Sequence, residues 1–409
     1  MTRKTVSIVI PTHNRRASVM RAVAALSSQS YPADALEVVV VADGCTDGTP
    51  ALAAERWPIA VGVIEQPAQG PAAARNRGAA AARGDILIFL DDDIEVSPAF
   101  VDAHVRRHTK PDVVVVGYLP PILQGRCDFF AVVLRRWWEG MFEGMRDPGH
   151  RFAYTDLLSG NVSMPRALFA RVGGFNETLL CHEDYELGFR LIDAGARLRF
   201  AEDAAGWHHE HTDLPRALQR KRNEGRADIA LARLHPALIS VLPFSRDARY
   251  LGRRGRAFRH LALTRPAVGD LLAAVCRAML PALEALRRRT RWRRLVDDLL
   301  LYAYWRGVRE TVDVATLAKV VSAPEPGTSA PCDIDLRLGL DAAAQRLEAC
   351  RPEAVRLKWG PLIVSTVQSQ PGAERLQGRH LRSLLQRRFP VQFAKTLALA
   401  QLLGRSASD

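Results

Sequence analysis

Short, almost wholly apolar runs alternate along the first quarter of the chain with segments whose apolar positions recur at helical spacing. The runs "TVSIVIPT", "EVVVVADG", "VGVIEQ" and "DILIFLDDD" end in turn residues and predict buried strands. Between them, "RRASVMRAVAALSSQ", a segment beginning "DGTPALAAERW", and "GPAAARNRGAAAAR" predict helices. Strands this apolar, separated by helices, predict an α/β fold built on a mainly parallel sheet covered on both faces. In such sheets ligands bind at the carboxyl ends of the strands. Thr12, Asp43 and the triplet Asp91, Asp92 and Asp93 all stand at such ends. The pattern therefore predicts that they gather on one rim, although they lie far apart in sequence.

The pattern then changes. "DVVVVGYLPP" predicts another strand, and "RRWWEGMFEGMRDPGHR" an aromatic, charged loop or short helix. The stretch from "DLLSGNVSMP" to "GARLRF" reads strand, helix, turn, helix, strand. From residue 214 to about 320 the chain is helical and rich in arginine. Residues 321–333, "SAPEPGTSAPCDI", read as a linker. The last segment, 334–409, holds a short strand, "RLKWGPLIVSTV", between helices. The organisation expected is thus an α/β domain over 1–213, a helical basic region over 214–320, the linker, and a small α/β or helical segment.

Composition sharpens this picture in three ways. The chain has 409 residues and 48% hydrophobic content, enough for two or three domains and a large core. Its net charge of +13 is concentrated in residues 216–310, which carry 22 Arg or Lys against eight Asp or Glu. Such a surplus suits an anionic membrane or a polyanionic substrate; no nucleic-acid recognition motif accompanies it. Within this region Leu271, Leu272, Val275, Met279, Leu280, Leu283 and Leu286 form a helical stripe followed by an Arg cluster with Trp292. Two readings stay open: an amphipathic helix at an anionic lipid surface, or a core-facing helix with a solvated basic end.

No uncharged apolar stretch approaches the ~20 residues of a membrane span. The longest candidates, 113–125 and 234–245, each contain two prolines, so peripheral contact is expected rather than crossing. The start, "MTRKTVSIVIPTHNR", is not read as a signal peptide, because its apolar run breaks at Pro11. The six cysteines, Cys45, Cys127, Cys181, Cys276, Cys332 and Cys350, show no metal-ligand spacing and read as reduced thiols. A cytoplasmic protein, at the inner face of the membrane where it touches one, is the expectation.

Three adjacent carboxylates at a strand end make a hard-cation site for Mg²⁺ or Mn²⁺, or else a solvated turn. In an extended segment Asp91 and Asp93 share one face and Asp92 takes the other. Further on, "CHEDYELGFR" supplies Glu183 and Asp184, acids suited to general-base work and equally to the first turn of a helix. "GWHHEHT" brings His208, His209 and His211 together, with His209 and His211 on one face. Trp137 and Trp138 suit either sugar stacking or a core.

Taken in order, "SIVIPTHNR", "VVVVADGCTDGT", "GPAAARNRGAAAARGDILIFLDDD", "GNVSMPRALFARVGGFNE" and "HEDYELGFRLIDAGARLRF" resemble the motif series of the family 2 glycosyltransferases, inverting enzymes of the GT-A fold. The resemblance spans about residues 5–211. It implies transfer of a sugar from a nucleotide-diphospho-sugar to a glycan or lipid-linked hydroxyl, in cell-envelope or exopolysaccharide synthesis. It implies that Asp91 and Asp93 are the DxD pair, with Asp93 the direct ligand of Mn²⁺ or Mg²⁺ and Asp92 on the ribose. Thr12 joins them on the donor rim. Asp43 matches the acid that meets the nucleobase, although Ala42 stands where the family commonly has another Asp. Arg75 matches a position near base and ribose, and Gly160 and Asn161 a pair beside the donor sugar. Asp184 matches the catalytic base and Glu183 an acceptor-orienting acid. A histidine after the last strand, His209 or His211, is implied to reach the metal or diphosphate. A nucleotidyltransferase would carry a basic phosphate-gripping loop where this chain has "PTHNRR", a poor match. Intact acids at 91, 93 and 184 argue against an inactive glycan-binding scaffold.

Overall fold

The computed structural model describes residues 3–123, 128–246, 250–322 and 330–405. One mixed sheet organises the first half. Its strands are β1 (Val6–Thr12), β2 (Leu36–Asp43), β3 (Ala60–Gln66), β4 (Ile86–Leu90), β5 (Ile94–Val96), β6 (Val113–Tyr118), β7 (Pro121–Ile122), β8 (Asn161–Pro165) and β9 (Arg197–His209). Their spatial order is β3-β2-β1-β4-β8-β6-β9-β5, with β7 beside β9. The four strands β3, β2, β1 and β4 are parallel, β8 is antiparallel to β4 and β6, and β6 runs parallel to β9. Every residue of β4 is buried, as expected for a strand covered on both faces.

Helices α1 (Arg16–Leu26), α2 (Pro71–Ala81), α3 (Phe100–Val105), α4 (Phe129–Met145), α5 (Arg166–Arg171) and α6 (Glu183–Asp193) connect these strands. Two expectations fail here. "DGTPALAAERW" forms only a 3-10 turn, Thr49–Ala54, because Pro50 and small residues give it little to bury. "RRWWEGMFEGM" lies in a 17-residue helix, α4, whose N-terminus is capped by the Asp128 side chain accepting from the Ala131 amide at 2.6 Å. Its buried face comprises Phe130, Leu134, Trp138 and Phe142.

The helical region contains α7 (Leu214–Leu234), α8 (Pro243–Arg246), α9 (Arg253–Thr264), α10 (Pro266–Ala278), α11 (Leu280–Ala285), α12 (Arg289–Thr311) and α13 (Val314–Ser322). The long helices α7 and α12 cross where Gly225 and Gly307 lie against the partner backbone, with no room for a Cβ on either. A continuous core runs from Val6 in the sheet to Leu317 in these helices. One segment here, Pro266–Ala285, is long and apolar enough by length and composition to cross a membrane, and only 17% of it is buried. This corrects the choice of 113–125 and 234–245 as the longest candidates. Isolated charges at Asp270, Arg277 and Glu284 interrupt the segment in sequence, whereas the helix gathers its apolar residues.

A second core closes around β10 (Cys332–Asp335), β11 (Val355–Trp359), β12 (Leu362–Val367), α14 (Leu340–Cys350), α15 (His380–Ser383) and α16 (Pro390–Arg405). "RLKWGPLIVSTV" is therefore not one strand. It is the hairpin of β11 and β12, turned at Gly360 (φ 61°), with β10 added in parallel. Of the expected linker, residues 323–329 lie outside the described residues, as does Cys127; the other five cysteines are free thiols.

Candidate active site

The rim predicted from the strand ends is present. β1 ends at Thr12 and β2 at Asp43, and β4 ends just before Asp91. Residues 91–93 then form a turn, with the Asp91 amide on the Gly160 carbonyl at 3.1 Å and the Ile94 amide on the Asp91 carbonyl at 3.3 Å. The turn removes the expected alternation. Asp92 and Asp93 face the same cation, Arg15, at 3.1 and 2.9 Å, and Asp91 turns to Arg75 at 2.7 Å. Asp92 also accepts from the Thr12 hydroxyl at 2.7 Å. Burial pushes its carboxyl up to about 6, against the pull of Thr12 and Arg15. Burial acts the same way on Asp93, yet His208 and Arg15 hold that acid below the ordinary carboxylate range.

A cavity of 620 Å³ opens over these groups, lined by Thr12, Asp43, Arg75, the acid triplet, His208 and His211. Arg15, Arg216 and Arg220 add positive charge to its wall. Asp43 is at this wall, but its carboxylate is already engaged by Gln66 Nε2 and the Gln69 amide on Oδ1 and the Gly70 amide on Oδ2, at 2.8 to 2.9 Å. It ties the loop before α2 to the end of β2.

A second cavity, of 230 Å³, shares Arg75, Asp91, Trp138, His208 and Arg220 with the first. Glu183 and Asp184 line it from the first turn of α6, where carboxylates meet the positive end of the helix dipole. Arg75 joins the two cavities: one guanidinium nitrogen holds Asp91 and the other holds Glu183 at 3.0 Å. Asp184 instead accepts the Tyr185 amide at 2.8 Å. Burial, with Glu183 beside it, raises its pKa to about 6; His182 and Arg75 oppose the rise.

His182 precedes these acids in a left-handed conformation, φ 62°. Its Nδ1 lies 3.1 Å from Asp228 of α7, whose other oxygen accepts the Tyr304 hydroxyl of α12 at 2.6 Å. The ring stacks on Tyr185 at 4.5 Å. The start of α6 is thus pinned from the helical region.

Residues 7–173 match the family model described as glycosyl transferase family 2. Over 253 residues the chain is 30% identical to the pre-mycofactocin glycosyltransferase of Mycobacterium tuberculosis, covering 59% of this chain and 51% of that protein. Over 266 residues it is 32% identical to the validoxylamine A glucosyltransferase of Streptomyces hygroscopicus subsp. jinggangensis, covering 58% and 62%. The matches thus span about half to three fifths of the length of these relatives. By that family model, residues 7–173 are a family 2 glycosyltransferase segment. The fold agrees: a mannosyltransferase from Pyrobaculum calidifontis, solved in complex with GDP-Man and Mn²⁺, superposes with a TM-score of 0.50 at 20% identity, over 75% of this chain and 87% of that one. The sheet and its helices have the GT-A architecture.

Within this glycosyltransferase fold several sequence-based assignments move. Arg75, implied to sit by base and ribose, lines the larger cavity and is also buried between Asp91 and Glu183. Asn161 is wholly buried and spends its side chain on His104 at 2.9 Å and on the carbonyls of Tyr118 and Ala204. It holds the sheet together rather than facing the cavity. Gly160 does face it, and a Cβ there would come within 2.8 Å of Asp91 Oδ2.

His209 pairs with Glu95 at 3.1 Å, away from the acids. His208 takes its place, 3.5 Å from Asp93, because the face of β9 that looks onto the acids carries 208. No group of three metal-ligating side chains is assembled among the described residues.

Sequence reasoning missed Arg15, His208 as the inward histidine, and Glu210, which accepts Trp138 Nε1 at 2.9 Å. Arg15 follows the β1 end by three residues, and that proximity was the available signal. The tryptophan pair divides: Trp138 is buried, and Trp137 is 40% exposed in the 230 Å³ cavity.

Proposed function

We propose that the chain transfers a sugar, with inversion, from a nucleotide-diphospho-sugar in the larger cavity to an acceptor hydroxyl in the smaller one. The observation that carries this reading is the Arg75 bridge, which sets the donor acid Asp91 and the acceptor acid Glu183 on one guanidinium with Asp184 beside it. Asp184 takes the acceptor proton as the oxygen attacks the anomeric carbon; the carbon–oxygen bond to the diphosphate breaks, and the nucleoside diphosphate leaves with that electron pair. Its raised pKa makes it a stronger base than an ordinary carboxylate, and Glu183 is occupied by Arg75.

Departing diphosphate accumulates negative charge. Arg15, Arg216, Arg220 and His211 are the groups of the larger cavity suited to meet it. The residues also fit a divalent cation, Mn²⁺ or Mg²⁺. Asp91 and Asp93 supply hard oxygen donors, and the His208 imidazole stands beside Asp93 with its Nε2 at 3.5 Å. Such a cation would stabilise the leaving charge. Thr12 and Arg15 orient Asp92 for the ribose, and Asp43 fixes the loop near the base.

The acceptor is a glycan or lipid-linked hydroxyl, and the setting is envelope or exopolysaccharide synthesis on the cytoplasmic side. A panel of sugar nucleotides, tested for Mn²⁺-dependent binding and slow hydrolysis, checks the reading. One donor should bind with strong dependence on the cation. Binding of no donor at millimolar concentration, with or without Mn²⁺, overturns it.

A further inference from the structure

We infer that the outer face of α10 and α11, with the arginine cluster that follows it, is a docking surface for an anionic lipid bilayer. Val268, Leu271, Val275, Met279 and Leu286 are each more than half exposed. About a quarter turn round the helix Gly269, Cys276 and Leu280 are buried against the bundle. Gly269 packs so closely on the Tyr302 ring that a Cβ would collide with it. A helix with two apolar faces, one of them already packed, leaves the other in need of cover.

The charge beside this face selects the cover. Arg287, Arg288, Arg289, Arg291, Arg293 and Arg294 follow it directly and are exposed. An apolar helix face bordered by basic residues suits the boundary between acyl chains and anionic headgroups. A second copy of this chain would instead bring two such arginine clusters together, at a cost in repulsion.

The segment lies on the bilayer rather than crossing it. Asp270 is held by Tyr302 at 2.7 Å and Arg306 at 3.1 Å, and Glu284 accepts the Phe129 amide at 2.7 Å. Both ends are thus tied to the protein. Pro266–Ala285 has the length of a span, but it is two helices, and α10, with 13 residues, covers only ~20 Å of a ~30 Å hydrocarbon core.

The surface also adjoins the candidate active site. A cavity lined by Val133, Arg136, Trp137, Gly140, Met141 and Arg293 shares Trp137 and Met141 with the 230 Å³ cavity. The arginine cluster therefore borders the acceptor side. The inference itself is independent of the transfer chemistry, because lipid binding is read without substrate.

The test is co-sedimentation of the full chain with vesicles of phosphatidylcholine alone or mixed with phosphatidylglycerol. Binding is expected to the mixed vesicles at low salt and to be lost as the Debye length falls from ~10 Å at 0.1 M to ~3 Å at 1 M salt. Val275→Glu should weaken it ~10-fold or more, by placing a charge where an apolar side chain enters the lipid. A double variant, Arg288→Glu with Arg291→Glu, should weaken binding to mixed vesicles by ~10-fold or more. These positions are exposed, so unfolding midpoints should stay at the wild-type value; Val268→Glu repeats the apolar test should Val275→Glu fail to fold. Equal binding to both vesicle types, no binding at low salt, or a dimer that Val275→Glu dissociates without any vesicle binding would each overturn the proposal. Donor binding would remain intact in any of these cases.

Discussion

The proposed donor and acceptor sides of the site hold their acids differently. On the donor side, Asp91, Asp92 and Asp93 are paired with exposed or bridging cations, Arg15 and Arg75, and Asp93 faces His208 as well. On the acceptor side, Asp184 is bonded to a backbone amide and sits where burial raises its pKa. An acid that meets a polyphosphate with its counter-cation needs charge, and at Asp93 His208 and Arg15 outweigh burial and hold it; Asp92, although paired with Arg15, is raised to about 6 by burial, as Asp184 is. An acid that takes a proton needs affinity for it, and partial desolvation supplies that. Of the residues that line both cavities, Arg75 is the one that pairs with an acid on each side.

The largest effect that separates the sides is on turnover. Asp184→Asn should lower transfer by ~10² to 10⁴-fold, roughly 3 to 5 kcal/mol of transition-state stabilisation, with donor affinity nearly unchanged. Asp93→Asn should instead reduce cation-dependent donor binding and turnover together. Titration calorimetry and initial rates on both variants decide this. Wild-type turnover in Asp184→Asn would move the base to Glu183, and equal donor losses in the two variants would erase the distinction between the sides.

Arg75→Met attacks the bridge. It leaves Glu183 buried without its cation and Asp91 without its partner. Stability should fall by about 3 to 5 kcal/mol, the usual result of breaking a buried pair from one end. Urea unfolding measures it. A loss under 1 kcal/mol would mean that the two acids find other partners and that the two cavities are not coupled through this residue.

The pH dependence of turnover is the next test. A base with a pKa near 6 is protonated, and inactive, below that value. The rate at saturating donor and acceptor should therefore rise through about pH 6 and level off above it, falling about tenfold per unit on the acid side. In Asp184→Asn the residual rate should lose this limb. A limb that persists belongs to another group.

Much of this arrangement was legible beforehand, and the failures share a cause. The strand pattern located Thr12, Asp43 and the acid triplet on one rim because period-2 burial and strand ends are local properties. The motif order pointed to Asp184. What went astray depends on side-chain direction after a strand ends. Asp91 to Asp93 form a turn, so alternation does not apply to them. The inward histidine is His208 because of the register between β5 and β9, which no local pattern reports. Arg75 and Asn161 kept their places in the motifs, but their partners come from distant segments. The buried length of α4 was hidden by its charges, which occupy the helix's outer face. Nothing in 214–320 announced that Arg216 and Arg220 would line the larger cavity or that Asp228 and Tyr304 would reach the start of α6.

That last contact makes the smallest and most specific prediction. His182 holds a left-handed backbone that a non-glycine residue adopts only where its surroundings enforce it, at a cost on the order of 1 to 3 kcal/mol. The enforcing groups are Asp228 and, behind it, Tyr304. Burial disfavours protonated His182, but Asp228 opposes it and raises the pKa above the ordinary value, the direction that strengthens their hydrogen bond. Tyr304→Phe removes one hydroxyl, keeps the ring that packs edge-on to Trp305 at 5.7 Å, and leaves the donor acids untouched. Asp228 then loses a donor, His182 is held less firmly, and Asp184 shifts with the first turn of α6. Turnover should fall by roughly tenfold, about 1.4 kcal/mol and just under the ~1.5 to 3 kcal/mol that a hydrogen bond to a charged group is worth, with the donor KM unchanged. A structural role alone would lower the unfolding midpoint and leave turnover at saturation where it was. If Tyr304→Phe raises the donor KM as much as it lowers turnover, the helical region supports both sides alike, and the contrast between a charge-paired donor rim and a separately pinned acceptor acid fails.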